Sequence, residues 1–286
     1  MKLGISSYSL YQAMQEGTLS ILEVVEWIAE IGGEHIEIVP LGFNFTDNPE
    51  LIHKLKEKAN QVGIDISNYA IGANFVTDSK ETYEKEINRV KGEVDIAHQL
   101  GAVLMRHDVA ARPDTSIIHF NRDLESLANA CRIIADYASK YQITTSVENH
   151  GYYIQASDRV LSLLDAVDRP NFKTTLDVGN FVCVDENPIT AVQKNISYAS
   201  IIHIKDFYIR QANQNPGEGW FRSMGGNYLR GAIAGHGDLP LWDILRLIKN
   251  SGYDGYLSIE FEGMEDCRTG TRIALDNVRR IWNEAQ

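Results

Sequence analysis

The chain has 286 residues, 44% of them hydrophobic and 23% charged, with 39 acidic against 27 basic side chains and a net charge of -12. That composition is ordinary for a folded globular chain and excludes a low-complexity or fibrous protein. The excess of negative charge repels polyanions and argues against nucleic acid as a partner, while a local cation or metal can still attract a small anion. No run approaches 18 apolar residues, so no membrane-spanning helix is expected.

Short β-branched runs alternate with longer amphipathic ones. The first strand is expected at 2–7, in "KLGISS". The opening segment around it lacks the apolar stretch of a secretory signal, which makes the cytoplasm the expected compartment. "LSILEVVEWIAEIG" follows, with Leu19, Leu22, Val25, Ile28 and Ala29 at helical spacing and a stop at Gly32 and Gly33. A strand at 35–39 leads to "NPELIHKLKEKANQVG", whose Asn-Pro pair opens a helix and whose Gly63 closes it. Further strands are expected at 65–70, 103–107, 143–148, 173–177, 201–205 and 257–261. "SKETYEKEINRVKGEVDIAHQLG", "SIIHFNRDLESLANACRIIADYASKY", "ASDRVLSLLDAV" and "LPLWDILRLIKNSG" supply helices between them, and a last one is expected at or shortly before "DNVRRIWNEAQ".

Eight alternations imply a parallel sheet, and eight units in this length fit a (β/α)8 TIM barrel, here one domain spanning 1–286. No G-x-G-x-x-G follows the first strand, so the dinucleotide-binding alternative lacks its fingerprint. The long connection at about 207–238 contains Trp220, Phe221, Met224 and Tyr228 and reads as a loop covering the active site. Cys131, Cys183 and Cys267 are widely spaced and odd in number, as expected of free thiols in a reducing compartment.

Four consecutive expected strands end in chemistry. Glu148 ends the fifth in "TTSVENHG", Asp177 the sixth in "TTLDVGN", His203 the seventh in "IIHIKD", and Glu260 the eighth in "LSIEFEG". In a barrel these ends share the catalytic mouth. Three carboxylates together repel one another, and a divalent cation removes the conflict. Three oxygen donors and one imidazole suit Mn²⁺, Mg²⁺, Co²⁺ or Zn²⁺. Any one of these residues alone reads more readily as a solvated carboxylate or helix-cap partner, a turn or a core histidine. Their recurrence at one height does not.

"SVENHG", "TLDVGN", "HIKD", "KLGISSYSL" and the ending "AGHGDLPLWDILRLIKNSGYDGYLSIEFEG" resemble the sugar phosphate isomerase/epimerase family, within the xylose isomerase-like TIM-barrel superfamily. That superfamily includes hydroxypyruvate isomerase, ketose 3-epimerases, keto-inositol isomerases and dehydratases, and endonuclease IV nucleases. The resemblance implies one divalent metal, Mn²⁺ first, held by Glu148, Asp177, His203 and Glu260, with Glu148 and Glu260 as the acid/base pair. It implies a sugar, keto-sugar or sugar phosphate as substrate and proton abstraction next to a carbonyl through an ene-diolate. Isomerisation, epimerisation and dehydration of a keto-inositol all remain open from that intermediate. Two departures weigh against the nuclease branch: Leu229 and Gly231 stand where its Asp and His would be, and Asn180 replaces a family histidine. The same Asn180 separates the chain from the ketose 3-epimerases. A non-catalytic binding barrel is the remaining alternative.

Candidate substrate contacts are Glu37, Arg106, His107, His150, Lys205, Asp206, Trp220 and His236. His150 reads equally as a group orienting Glu148, Lys205 as a partner of Asp206, and Trp220 as a surface aromatic. Of Arg106 and His107, alternation lets only one point inward. Members of the family often form dimers or tetramers.

Overall fold

The strands are short runs of the chain buried on both faces. In β2 (His35–Ile38) every residue is buried, and in β1 (Lys2–Ser6) every residue but the first. That is the pattern of strands covered by helices outside and packed side chains inside. A computed structural model describes residues 1–285. Its core is a closed barrel of parallel strands, completed by β3 (Asp65–Ile71), β4 (Leu104–His107), β5 (Thr144–Glu148), β6 (Phe172–Asp177), β7 (Ala199–Ile204) and β11 (Tyr256–Ile259). Closure is direct: Ile5 pairs with Ile259 on one side and with Ile36 on the other. The expected (β/α)8 barrel is the fold of the chain.

The helices obey their local signals. α2 (Ile21–Glu30) opens with a capping box between Ser20 and Glu23. Its buried stripe is Ile21, Val24, Val25 and Ile28, with Leu22 and Ala29 half-buried at its margin. α3 (Glu50–Val62) and α4 (Lys80–Leu100) end on left-handed Gly63 and Gly101, which a side chain would strain. α5 (Ile117–Ser139), α6 (Ser157–Val167) and α8 (Leu241–Asn250) follow the expected segments, and α1 (Tyr11–Gln15) is a short addition after β1.

Three differences from the sequence reading bear on the site. α7 (Pro188–Asn195), between β6 and β7, escapes the periodicity test because it is short; its signal is Asn187, which caps Thr190 N–H ahead of Pro188. α9 (Cys267–Glu284) begins well before "DNVRRIWNEAQ". Asp266 caps it, and Gly270 in its first turn, a poor helix former, hides the start. Most consequentially, the long connection is itself a sheet. β8 (Asp206–Arg210), β10 (Tyr228–Ala232) and β9 (Phe221–Arg222) pair antiparallel in the order β8-β10-β9, with Tyr208 opposite Arg230. Lys205 alone separates β7 from β8.

Among the described residues, no helix is long and apolar enough to cross a membrane. The three cysteines are buried and free.

Candidate metal centre and crevice

Glu148 is the last residue of β5 and Asp177 the last of β6. His203 lies one residue before the end of β7, and Glu260 one residue beyond β11, where its N–H still donates to Ile204 O at 3.2 Å. Ser9 fixes that last turn of chain: its Oγ donates to Ile259 O and accepts from Phe261 N–H. The parallel register sets Asp177 against His203, so the four side chains meet at one height. Their ligand atoms lie within 4.8 Å of one another, and all four residues are buried.

Each of the four side chains is oriented by a partner. Nε2 of His203 donates to Glu37 Oε2 at 2.9 Å, which turns Nδ1 inward. Nδ1 then lies 3.7 Å from Glu148 Oε1, 3.9 Å from Asp177 Oδ2 and 3.7 Å from Glu260 Oε1, with no hydrogen bond of its own. Asp177 Oδ1 accepts from the N–H groups of Gly179 and Asn180, and its Oδ2 is left without a hydrogen-bond partner. Asn149 explains the amide in "VENHG": it exchanges two hydrogen bonds with the backbone of Asp177, at 2.8 and 2.9 Å, tying the end of β5 to that of β6. Glu148 takes Asn180 Nδ2 at 3.1 Å and ion-pairs with Arg106 at 2.8 Å. Glu260 ion-pairs with Lys205 at 2.6 Å.

The electrostatics follow from crowding. Burial opposes charge on His203, yet Glu37, Glu260 and Glu148 outweigh it and hold the imidazole well above its usual range. Burial, reinforced by Glu260 and Glu148 and eased by Lys205, pushes Asp177 up to about 6. Glu148 is also buried, but Arg106 and His203 keep it well below the usual carboxylate range. Asp177 Oδ2 and His203 Nδ1, both buried, converge without hydrogen bonds, and oxygen and nitrogen donors of this kind suit a divalent cation. The donor set fits such an ion.

Above the cluster lies a crevice of two lobes. The first, about 290 Å³, is bounded by Tyr8, Leu41, Arg106, Asp108, Glu148 and Glu260. The second, about 380 Å³, is bounded by Tyr152, Gln155, Asn180, Phe221, Arg230 and Met264. Tyr8, His150, Lys205 and Glu262 line both.

The other expected contacts divide sharply. Arg106, His150 and Lys205 face the crevice. His150 sits 3.7 Å from the Asp108 carboxylate, which together with Glu148 raises its pKa against the effect of burial. Lys205 touches Glu260, Asp177 and Glu262, not Asp206. Glu37 is fully buried behind His203 and away from the crevice, with Asn68 donating to it at 2.7 Å. His107 points outward from the barrel and packs against Phe75 and Phe172, where burial lowers it to about 4. Asp206 turns away from the mouth and accepts the N–H groups of Phe207, Gly235, Gly237 and Leu239. His236 is exposed in that turn, and Trp220 stacks between Arg210 and Arg230 outside both lobes. Sequence reasoning missed Tyr8, Asn68, Asn149, Gln155, Arg230 and Glu262. Of these, Tyr8, Asn149 and Glu262 lie inside the quoted motifs; the others carried no local signal.

A closed parallel barrel with a His-and-carboxylate cluster at the C-terminal ends of its strands has the architecture of a TIM barrel, whose functional residues gather at that end. The chain matches a family model described as "Xylose isomerase-like TIM barrel" over residues 25–281 and belongs to that family. An inosose dehydratase of Clostridium botulinum (strain Alaska E43 / Type E3) is 22% identical over 241 residues, 79% of this chain and 80% of the relative. Two solved structures share the fold. The IOLI protein with a bound zinc atom has a TM-score of 0.79 at 16% identity, covering 100% of this chain and 99% of that one. D-psicose 3-epimerase from Clostridium cellulolyticum H10 has a TM-score of 0.74 at 18% identity, covering 99% of each chain.

Proposed function

We propose that the chain is a divalent-metal-dependent enzyme that moves a proton next to the carbonyl of a sugar, keto-sugar or sugar phosphate, as an isomerase or epimerase. The observation that carries this reading is the inward-facing pair His203 Nδ1 and Asp177 Oδ2, both buried and without hydrogen bonds, flanked by two glutamates on the floor of the crevice. Glu148, Asp177, His203 and Glu260 would hold one ion, Mn²⁺ in first place. Such an ion, when bound, polarises a carbonyl and lowers the cost of negative charge on the oxygens beside it.

The chain's own residues do the rest. Glu148 and Glu260 are separated around the barrel by β6 and β7, and each is held by its own cation, Arg106 and Lys205. One glutamate removes the proton beside the carbonyl and the other returns it. Return to the opposite face gives epimerisation, and return to the neighbouring carbon gives isomerisation. Lys205, held among Glu260, Glu262 and Asp177, keeps its proton and offers a donor to the ene-diolate oxygen. The sheet of β8, β9 and β10 supplies Phe221 and Arg230 to one wall of the second lobe.

A second reading, dehydration of a keto-inositol, is favoured by the inosose dehydratase relatives. It uses the same proton abstraction followed by loss of a β-hydroxyl. The test is incubation of the Mn²⁺-loaded protein in deuterium oxide with ketoses, keto-inositols and their phosphates. Deuterium entering the carbon beside the carbonyl without loss of water supports the first reading. A new ultraviolet-absorbing enone supports the second, and no exchange with any of them removes both.

A further inference from the structure

Four cations face the crevice, and three are matched. Arg106 pairs with Asp108 and Glu148, His150 lies beside Asp108, and Lys205 is held by Glu260 at 2.6 Å. Arg230 is different. Among the described residues it has no carboxylate partner, and its Nε is buried without a hydrogen bond. Its guanidinium instead lies 4.8 Å from the ring of Tyr208, its cross-strand neighbour, and 5.3 Å from that of Trp220. Two aromatic faces position the group without neutralising it or occupying its N–H donors.

Its placement gives that charge a use. Arg230 lines the second lobe together with Lys205 and Asn180, and both of these also touch the metal cluster. A ligand seated over the cluster therefore reaches Arg230 by passing Lys205. Glu262, the carboxylate lining that lobe, lies 3.5 Å from Lys205 rather than in contact with Arg230. In a chain of net charge -12, a rigid unmatched guanidinium is the feature that draws in an anion.

We infer that Arg230 receives an anionic oxygen group, a carboxylate or a phosphate, at the end of the substrate remote from the reacting carbonyl. The substrate class becomes acidic polyhydroxy ketones rather than neutral ones. The inference rests on the proton-transfer reading of the same crevice. Aromatic stacking holds the fork in place before the ligand arrives, so little ordering remains when a planar carboxylate or a phosphate binds it through two donors.

The experiment is calorimetric titration of the Mn²⁺-loaded protein with D-fructose, 5-keto-D-gluconate and D-fructose 6-phosphate, at low and moderate salt. The wild type should bind at least one acidic ketose about tenfold or more tightly than D-fructose, as a charge-assisted pair provides. Which of the two wins separates carboxylate from phosphate. In Arg230→Gln that preference should vanish while D-fructose binding is unchanged. Arg210→Gln removes a charge stacked on the same Trp220 and should keep the preference.

No preference in the wild type overturns the inference. So does a preference that survives in Arg230→Gln, which would place the anion on the metal or Lys205. Equal weakening of neutral and acidic ligands in Arg230→Gln would make the residue a clamp for the sheet and also overturn it. Binding requires no turnover. A charge preference in a protein that exchanges no deuterium would sink the proposed reaction alone, and exchange without the preference would sink this inference alone.

Discussion

Glu37 accepts a hydrogen bond from Nε2 of His203 at 2.9 Å, and both side chains are fully buried. A carboxylate held at about 2 by the imidazole, and by hydrogen bonds from it and Asn68, accepts only, so the proton sits on Nε2 and Nδ1 faces the cluster. Glu37→Gln should lower Mn²⁺ affinity by about 10–100-fold, the usual cost of losing such a carboxylate behind a ligating histidine. Competition against a calibrated chelator measures it. Unchanged affinity, with circular dichroism confirming the fold, would mean that Glu37 does not orient a ligand.

Metal uptake should release protons. In chelator-stripped protein His203 titrates well above its usual range and Asp177 at about 6, and a metal needs both deprotonated. Affinity should therefore rise with pH from 5 upward, with His203 giving up a proton at pH 7 and Asp177 adding to it near pH 5. The sign for stability is the reverse in the stripped protein. The raised imidazole stabilises below its unfolded value and loses that contribution as pH rises through its folded value. Calorimetry in buffers of different ionisation enthalpy counts the protons, and a count of zero at pH 7 would mean that metal uptake displaces no proton from His203.

Glu260→Gln should cut deuterium exchange by about 10²–10⁴-fold, the range for a lost general acid or base. Lys205 keeps Asp177 and Glu262 nearby, so its charge remains matched and the fold should hold. Wild-type exchange from that variant would take Glu260 out of the mechanism.

Asp206→Ala should destabilise the protein while leaving substrate affinity intact, because its carboxylate caps four backbone N–H groups rather than facing the crevice. Buried donors left unmatched cost about 1–3 kcal/mol each, less where water enters, so a loss of several kcal/mol is expected in urea denaturation. A shift in KM with no change in the midpoint would contradict this placement.

What the sequence made legible was what repeats. Eight strands recur with helices between them, and Glu148, Asp177, His203 and Glu260 recur at strand ends, so periodicity and position together located the cluster. What it hid depends on long-range pairing. Glu37 looks like any strand-end acid until His203, 166 residues away, is brought behind it. Asp206 follows "HIK" like a site residue, but the turn at Gly235 and Gly237 claims its oxygens. The β8–β10 pairing escaped notice because Gly, Asn and Pro in "NQNPGEG" signal loop, and two strands of five residues straddling such a tip have too little alternation to stand out.

One residue, Lys205, joins barrel strand β7 to hairpin strand β8, so the cover and His203 of the cluster share one stretch of extended backbone. Such a cover has no hinge at its root. Variation must instead enter at its far end, where residues 211–219 are all exposed. Up to Gly219, which lines the second lobe, that tip can lengthen, shorten or accept a foreign peptide without touching the cluster, which makes it the natural place for a tag and for relatives to diverge.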